Sequence, residues 1–187
     1  MTLSELNEQI SQCNNCGLRK NCKQVVVGEG SENARIVFVA EAPGAKEDEQ
    51  NRMFVGAAGD VLNDLLVEIQ LSREDVYLAN VVKCRPPQNG DPKAEEIAAC
   101  RNWLDKQLEI INPEIIVPLG RFAMEQFVSG VKISQVHGRY RYVGDRLVFV
   151  MYHPAVALYN KNMYVVLSRD IKRLGKILRG EIEVFRD

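Results

Sequence analysis

Residues 36–44, Ile-Val-Phe-Val-Ala-Glu-Ala-Pro-Gly, constrain this chain more than any other stretch. An unbroken apolar run that stops at Pro-Gly reads as a buried strand ending in a tight turn. Strands buried on both faces belong to parallel sheets covered by helices. Glu41 then stands at the carboxyl end of such a strand, where open α/β sheets bind their ligands. Two further segments repeat the pattern. Val76–Val82 carries Asn80 inside an apolar run and leads into Lys83-Cys-Arg-Pro-Pro87, and 147–152 runs directly into His153-Pro154.

Between these strands the spacing predicts helices. Leu3, Leu6 and Ile10 mark one over 3–12, and Val61, Leu62, Leu65, Leu66 and Ile69 mark an amphipathic one over 60–70. Others are expected near 93–111, 121–128 and 164–179. A short edge strand is read at 24–30, a third core strand at 115–119 and an antiparallel excursion at 132–143. Residues 43–59 read as a long loop, and such loops are often functional. The fold class expected is α/β, with about four parallel core strands and helices on both faces.

A chain of 187 residues with 46% apolar and 26% charged content fits one soluble globular domain, 1–187. No apolar run reaches the ~20 residues of a membrane span. The polar start Met1-Thr-Leu-Ser is no signal peptide, so a cytoplasmic location is expected. Net charge is only -1, but it is unevenly spread: residues 132–187 hold 11 of the 24 Lys and Arg and 5 of the 25 Asp and Glu. A locally basic surface suits phosphate contacts, and it equally suits a solvated helix face.

Five cysteines, Cys13, Cys16, Cys22, Cys84 and Cys100, form an odd set that argues for metal rather than a disulfide framework. Cys13-x-x-Cys16 with Cys84 and Cys100 supplies four thiolates, which suit tetrahedral zinc or an iron–sulfur centre alike. Cys22 is the spare thiol. The polar residues at the strand ends, Glu41, Glu47, Asn80, Asn89 and His153, each have a dull reading as a cap or packed side chain. Their convergence on one sheet edge favours chemistry: an amide offers donor and acceptor together, and a histidine offers a donor. Phe54 lies where a ring can stack on a flat ligand. There is no Gly-x-x-x-x-Gly-Lys-Ser/Thr loop, no Gly-x-Gly-x-x-Gly after the first strand and no Gly-x-Ser-x-Gly elbow, which weakens nucleotide hydrolysis, dinucleotide binding and serine hydrolase chemistry.

Taken together, Cys13-Asn-Asn-Cys16, Ala40-Glu-Ala-Pro-Gly44, Phe54-Val-Gly56 with Ala58-Gly59, Asn80 to Asn89, Cys100, and His153-Pro-Ala155 with Leu158 resemble family 4 uracil-DNA glycosylases. The resemblance covers nearly the whole chain. It implies a three-layer α/β/α sandwich on a central four-stranded parallel sheet. It also implies a 4Fe–4S cluster on Cys13, Cys16, Cys84 and Cys100, and hydrolytic excision of uracil from single- or double-stranded DNA by a monomer. The same resemblance gives Phe54 the base-stacking role and Asn80 the reading of the base edge, and it makes His153 the donor to uracil O2. Ala40, Glu41 and Ala42 belong to the pocket. Ala42 stands where better-known uracil glycosylases carry a water-activating aspartate, so Glu47 and Asn89 are expected to orient the water. Four positions depart from the family pattern: Ala40 for glycine, Met53 for proline, Val156 for a small residue and Tyr159 for arginine. The alternatives are a redox carrier and a non-catalytic iron–sulfur DNA-binding module. The covalent uracil-binding relatives need a basic, histidine-containing insertion, and none stands between Gly44 and Phe54.

Overall fold

Five successive buried residues, Ile36–Ala40, form strand β2, and every one is buried because helices cover both faces. The computed structural model describes residues 1–186. In chain order the elements are α1 (Leu3–Ser11), a 3₁₀ turn at Gly17–Lys20, β1 (Glu29–Gly30), β2, α2 (Ala45–Gln50), α3 (Ala57–Glu68), β3 (Tyr77–Asn80), a turn at Pro87–Asn89 and α4 (Ala94–Ile111). Then come β4 (Ile115–Pro118), α5 (Arg121–Glu125), α6 (Ile133–Val136), β5 (Tyr140–Val143), β6 (Arg146–Phe149), α7 (Val156–Tyr159) and α8 (Asn162–Leu178).

The sheet order is β1-β3-β2-β4-β6-β5. Its centre, β3-β2-β4-β6, is parallel, as expected from the apolar runs. The expected four-stranded sheet is extended to six by β1 and β5, which pair antiparallel at the two edges. Both edges fall in segments whose sequence reads as an edge strand and an antiparallel excursion. β6 ends at Phe149 rather than at 152, because beyond it only an isolated bridge joins Leu119 to Met151.

Side-chain alternation sorts the strands into two cores. Val37, Val39, Tyr77, Ala79, Ile116 and Val148 face the layer of α1 and α4. Ile36, Phe38, Leu78, Ile115, Val117, Leu147 and Phe149 face Leu62, Leu65 and Leu66 of α3 and Leu167, Ile171 and Leu174 of α8. This is the three-layer sandwich. Each fully buried Leu, Ile or Phe contributes roughly 1.5–3 kcal/mol of transfer free energy, so the two cores hold the sheet in register. α1 begins with a reciprocal cap: Thr2 Oγ1 accepts from Glu5 N at 3.2 Å and Thr2 N donates to Glu5 Oε2 at 2.8 Å.

The expected loop 43–59 contains α2 and the first turn of α3. Only six residues long, α2 has no apolar stripe to betray it. It is tied down by Asp48, whose buried Oδ1 accepts from the backbone N–H groups of Lys23 (2.8 Å) and Gln24 (3.1 Å).

Candidate active site

Parallel pairing brings the predicted residues to one edge. Ala40 lies opposite Asn80 across β2 and β3, Val39 opposite Pro118, and the Leu119–Met151 bridge carries the chain to His153. There a cleft of ≈ 670 Å³ opens between the strand ends, lined by Ala40, Glu41, Ala42, Glu47, Phe54, Asn80, Asn89 and His153 among others. All eight pocket residues expected from sequence therefore meet in one concavity.

Asn80 is 2% exposed. Its Nδ2 donates to the Met53 sulfur at 3.3 Å, while its Oδ1 has no hydrogen-bond partner within the protein. A buried acceptor without a partner costs about 1–3 kcal/mol, and such sites in native folds call for an explanation. His153 lines the same cleft, its ring near-parallel to that of Phe54 (21°) with centroids 5.7 Å apart. Burial pushes the His153 imidazole down to about 4, against a smaller opposing pull from Glu47. The ring is therefore neutral near pH 7. Its Nδ1 accepts the Ala155 N–H at 3.2 Å, which leaves the single ring proton on Nε2.

Phe54 sits at φ 52°, an uncommon conformation for a bulky residue, and its loop is clamped from three sides. Arg73 donates to the carbonyls of Met53 and Phe54, Glu29 Oε2 accepts Met53 N at 3.1 Å, and Arg73 and Arg52 both pair with Glu29. Gly59 is the fourth constraint, because any Cβ there would run into the Phe54 backbone.

Glu47 and Asn89, expected to orient water, line the cleft but are partly committed elsewhere. Glu47 Oε1 accepts the Val55 and Gly56 N–H groups (3.0 and 3.2 Å), holding the entry to α3. Asn89 Oδ1 accepts from Arg85 Nε at 2.7 Å. Glu41, by contrast, makes no side-chain hydrogen bond or ion pair among the described residues. Burial, with Asp91 nearby, raises its pKa against a smaller effect of Arg121.

Three contributors were missed from sequence. Asp91 lines the cleft from the Pro-rich loop. Lys83, wholly buried, donates to the Asn80 carbonyl (2.9 Å) and to Gln107 Oε1 (2.6 Å), and Gln107 in turn donates to Tyr77 Oη (3.0 Å). Burial lowers the Lys83 ammonium to about 8, partly offset by the Cys100 thiol. The signal for Lys83 was a lysine in the first turn after a buried strand, a place where a flexible cation is unusual.

The cysteines gather behind this edge. Burial raises the Cys84 thiol, and the proximity of Cys22, Cys100 and Cys16 raises it further. Cys100 is raised by burial and, less, by Cys13 and Cys16, with Lys83 opposing. Two N–H groups already point at sulfur: Trp103 Nε1 to Cys13 (3.1 Å) and Lys83 N to Cys100 (3.3 Å). Among the described residues no three His, Cys, Asp or Glu side chains close on a single-ion position. Cys22, expected to be spare, is buried in the same group beside Cys84.

Comparison with known proteins matches residues 27–174 to the Uracil DNA glycosylase superfamily. A type-4 uracil-DNA glycosylase of Thermotoga maritima is 44% identical over 94% of this chain and 94% of its own length. Those of Archaeoglobus fulgidus and Sulfurisphaera tokodaii are 43% and 42% identical, each over 94% of this chain and over 93% and 84% of their own lengths. With the matching region spanning the whole sheet and the cleft at its edge, the chain belongs to the uracil DNA glycosylase superfamily, in its type-4 branch.

Proposed function

We propose that this protein is a monofunctional uracil-DNA glycosylase: it takes a flipped deoxyuridine into the cleft and hydrolyses the N-glycosidic bond, releasing uracil and leaving an abasic site. The observation that carries this reading is the buried, unpartnered Oδ1 of Asn80. Uracil offers a donor at N3 beside an acceptor at O4, the complement of a carboxamide. Asn80 Oδ1 takes the N3–H, and Nδ2 leaves the weak sulfur acceptor of Met53 for O4. Cytosine presents the opposite pattern and leaves both ends mismatched.

Phe54, held by its clamped loop, packs on the face of the base. His153, neutral with its proton on Nε2, donates to O2 as charge develops on the departing uracil. A positioned donor of this kind costs no reorganisation at the moment of bond breaking. Water approaches the sugar from the carboxylate side. Glu41, whose carboxylate is uncommitted, is the better water-orienting group, while Glu47 and Asn89 shape its approach. Ala42 offers no base.

Cys13, Cys16, Cys84 and Cys100 are the residues we assign to a 4Fe–4S cluster. The raised thiol pKa values of Cys84 and Cys100, and the N–H groups aimed at the sulfurs of Cys13 and Cys100, suit an all-thiolate donor set, which a cationic iron centre would neutralise. Such a cluster supplies cross-links between the loop after α1, the exit of β3 and α4, and no step of base excision passes through it. DNA enters as a monomer's substrate, in single or double strands. No helix among the described residues is long and apolar enough to cross a membrane.

The test is a single-turnover assay on uracil-containing oligonucleotides, with alkaline cleavage of the product. Uracil release without strand scission in the absence of alkali is the expected result. Binding without release from any substrate would instead favour a non-catalytic module of the same superfamily.

A further inference from the structure

The excision cleft has a charge problem. Its lining includes Glu41, Glu47 and Asp91 and no lysine or arginine. The guanidinium groups that touch its lining are already engaged: Arg121 pairs with Asp91 and Glu125 (3.6 Å each), Arg85 bonds Asn89, and Arg73 is held by Glu29 and the Met53 and Phe54 carbonyls. A pocket lined by carboxylates repels the polyanion that must deliver a base to it, so the attraction has to come from elsewhere on the surface.

A second cleft of ≈ 670 Å³ answers this. One wall is His137, Gly138 and Arg139, and the other is the outer face of α8 with Arg169, Arg173 and Lys176. The one acid in its lining, Asp170, is 2% exposed, and both its oxygens are engaged: Oδ2 by His137 Nδ1 at 2.6 Å and Oδ1 by Arg169 Nη2 at 3.1 Å. Lys172 is committed to Glu68 at 3.1 Å. Arg139, Arg173 and Lys176 are exposed and have no carboxylate within ion-pair distance among the described residues. Gly138, at φ 67°, leaves room for Asp170 to reach His137, since a Cβ there would strike its carboxylate. Residues 169, 173 and 176 share one helix face over roughly 10 Å at 1.5 Å per residue. That length matches about three phosphates of a strand at ~3.4 Å each along the axis.

The two clefts are neighbours. The His137 ring lies 4.6 Å from that of Tyr152, and Tyr152 directly precedes His153. We propose that the cleft between His137–Arg139 and α8 is a second nucleic-acid site, which holds the phosphate backbone of the strand flanking the flipped nucleotide. The proposal rests on the glycosylase reading of the first cleft. A row of cations with Ile182 as its one aliphatic side chain suits a continuous polyanion. An acidic peptide, in contrast, needs buried anchors for its side chains.

The test compares the wild type with a triple variant, Arg139→Gln, Arg173→Gln and Lys176→Gln, and with a charge-keeping control, Arg139→Lys and Arg173→Lys. Binding to oligonucleotides carrying a tetrahydrofuran abasic analogue is measured across a salt series, with about five or about thirty nucleotides in total. On the long oligonucleotide the slope of log affinity against log salt should fall by ~2 in the triple variant, since each lost phosphate contact in a single strand removes ~0.7. The control should keep the wild-type slope. On the short oligonucleotide all three proteins should bind alike, and single-turnover excision at saturating DNA should be unchanged. An unchanged slope on the long oligonucleotide, equal loss on the short one, or equally effective competition by polyglutamate of matched charge would each overturn the proposal. Failure of the wild type to release uracil would sink the glycosylase reading alone, because the salt slopes are read from binding.

Discussion

Asn80 keeps one end of its carboxamide on a sulfur and the other end on nothing, an arrangement that a packed core would not retain for stability. Replacing it by aspartate swaps the donor proposed to face O4 for an acceptor. Asn80→Asp should weaken uracil excision and admit some cytosine, whose exocyclic amine is a donor, in single-turnover assays on U- and C-containing strands. His153→Ala removes the donor proposed to meet the charge developing on uracil O2, so uracil excision should slow by ~10²–10³. Binding to product-like abasic DNA should change little, and full activity in that variant would falsify the assigned role. The acid side of the pH profile offers an independent check. The imidazole has an ordinary pKa of 6.5 and about 4 in the fold, so between those values the folded ring stays neutral while the unfolded ring takes a proton. This group's contribution to stability is complete above pH 6.5 and is lost as the pH falls towards 4. Excision should accordingly show no acid limb centred near 6.5 in single-turnover rates, whereas the denaturation midpoint should decline across that window.

The element that most needs explaining is the Phe54 loop and the start of α3. Glu47, on α2, holds it through two backbone N–H groups, Glu29 and Arg73 hold it through the carbonyls and N–H of Met53 and Phe54, and Gly59 lets the helix pass close beneath. Glu47 therefore serves position first, whatever it adds to the water's approach. Glu47→Gln keeps an oxygen acceptor for Val55 and Gly56 and should retain uracil excision within roughly five-fold, the worth of about one hydrogen bond. Glu47→Ala strands both N–H groups and should cost about 1–3 kcal/mol in denaturant unfolding and raise KM together with a fall in kcat. Equal and severe loss of kcat in both variants, with stability intact, would make the carboxylate a base instead.

On the scale of the whole molecule, the cysteines join parts that are distant along the chain. Cys13 and Cys16 follow α1, Cys84 follows β3 and Cys100 lies in the second turn of α4. A cluster there would staple the α1–α4 layer to the edge that carries Asn80, with Lys83 and Gln107 between them. Purified protein should be brown, with broad absorption near ~400 nm. Cys84→Ser should lose iron and colour and lower the thermal midpoint, and Cys22→Ser should keep both. A colourless protein holding one zinc, or a Cys22→Ser protein that loses its iron, would require a different ligand set.

The sheet and its active edge were legible before the fold because they rest on local chemistry. Runs such as Ile36–Ala40, short, rich in β-branched residues and closed by Pro-Gly, read as buried strands, and polar residues placed at their ends, Glu41, Asn80 and His153, are carried to one edge once those strands pair in parallel. The short α2, with no apolar periodicity, was not legible. Nor were the pairings that set each group's role: Glu47 with Val55 and Gly56, Lys83 with Gln107, Cys22 beside Cys84, and His137 with Asp170, 33 residues apart. Strand and helix formation depend on neighbours within a few residues. Hydrogen-bond partners, burial and the charge of a cleft depend on which distant segments meet, so only the fold shows that Glu47, expected along the chain to orient water, also clasps the Val55 and Gly56 N–H groups.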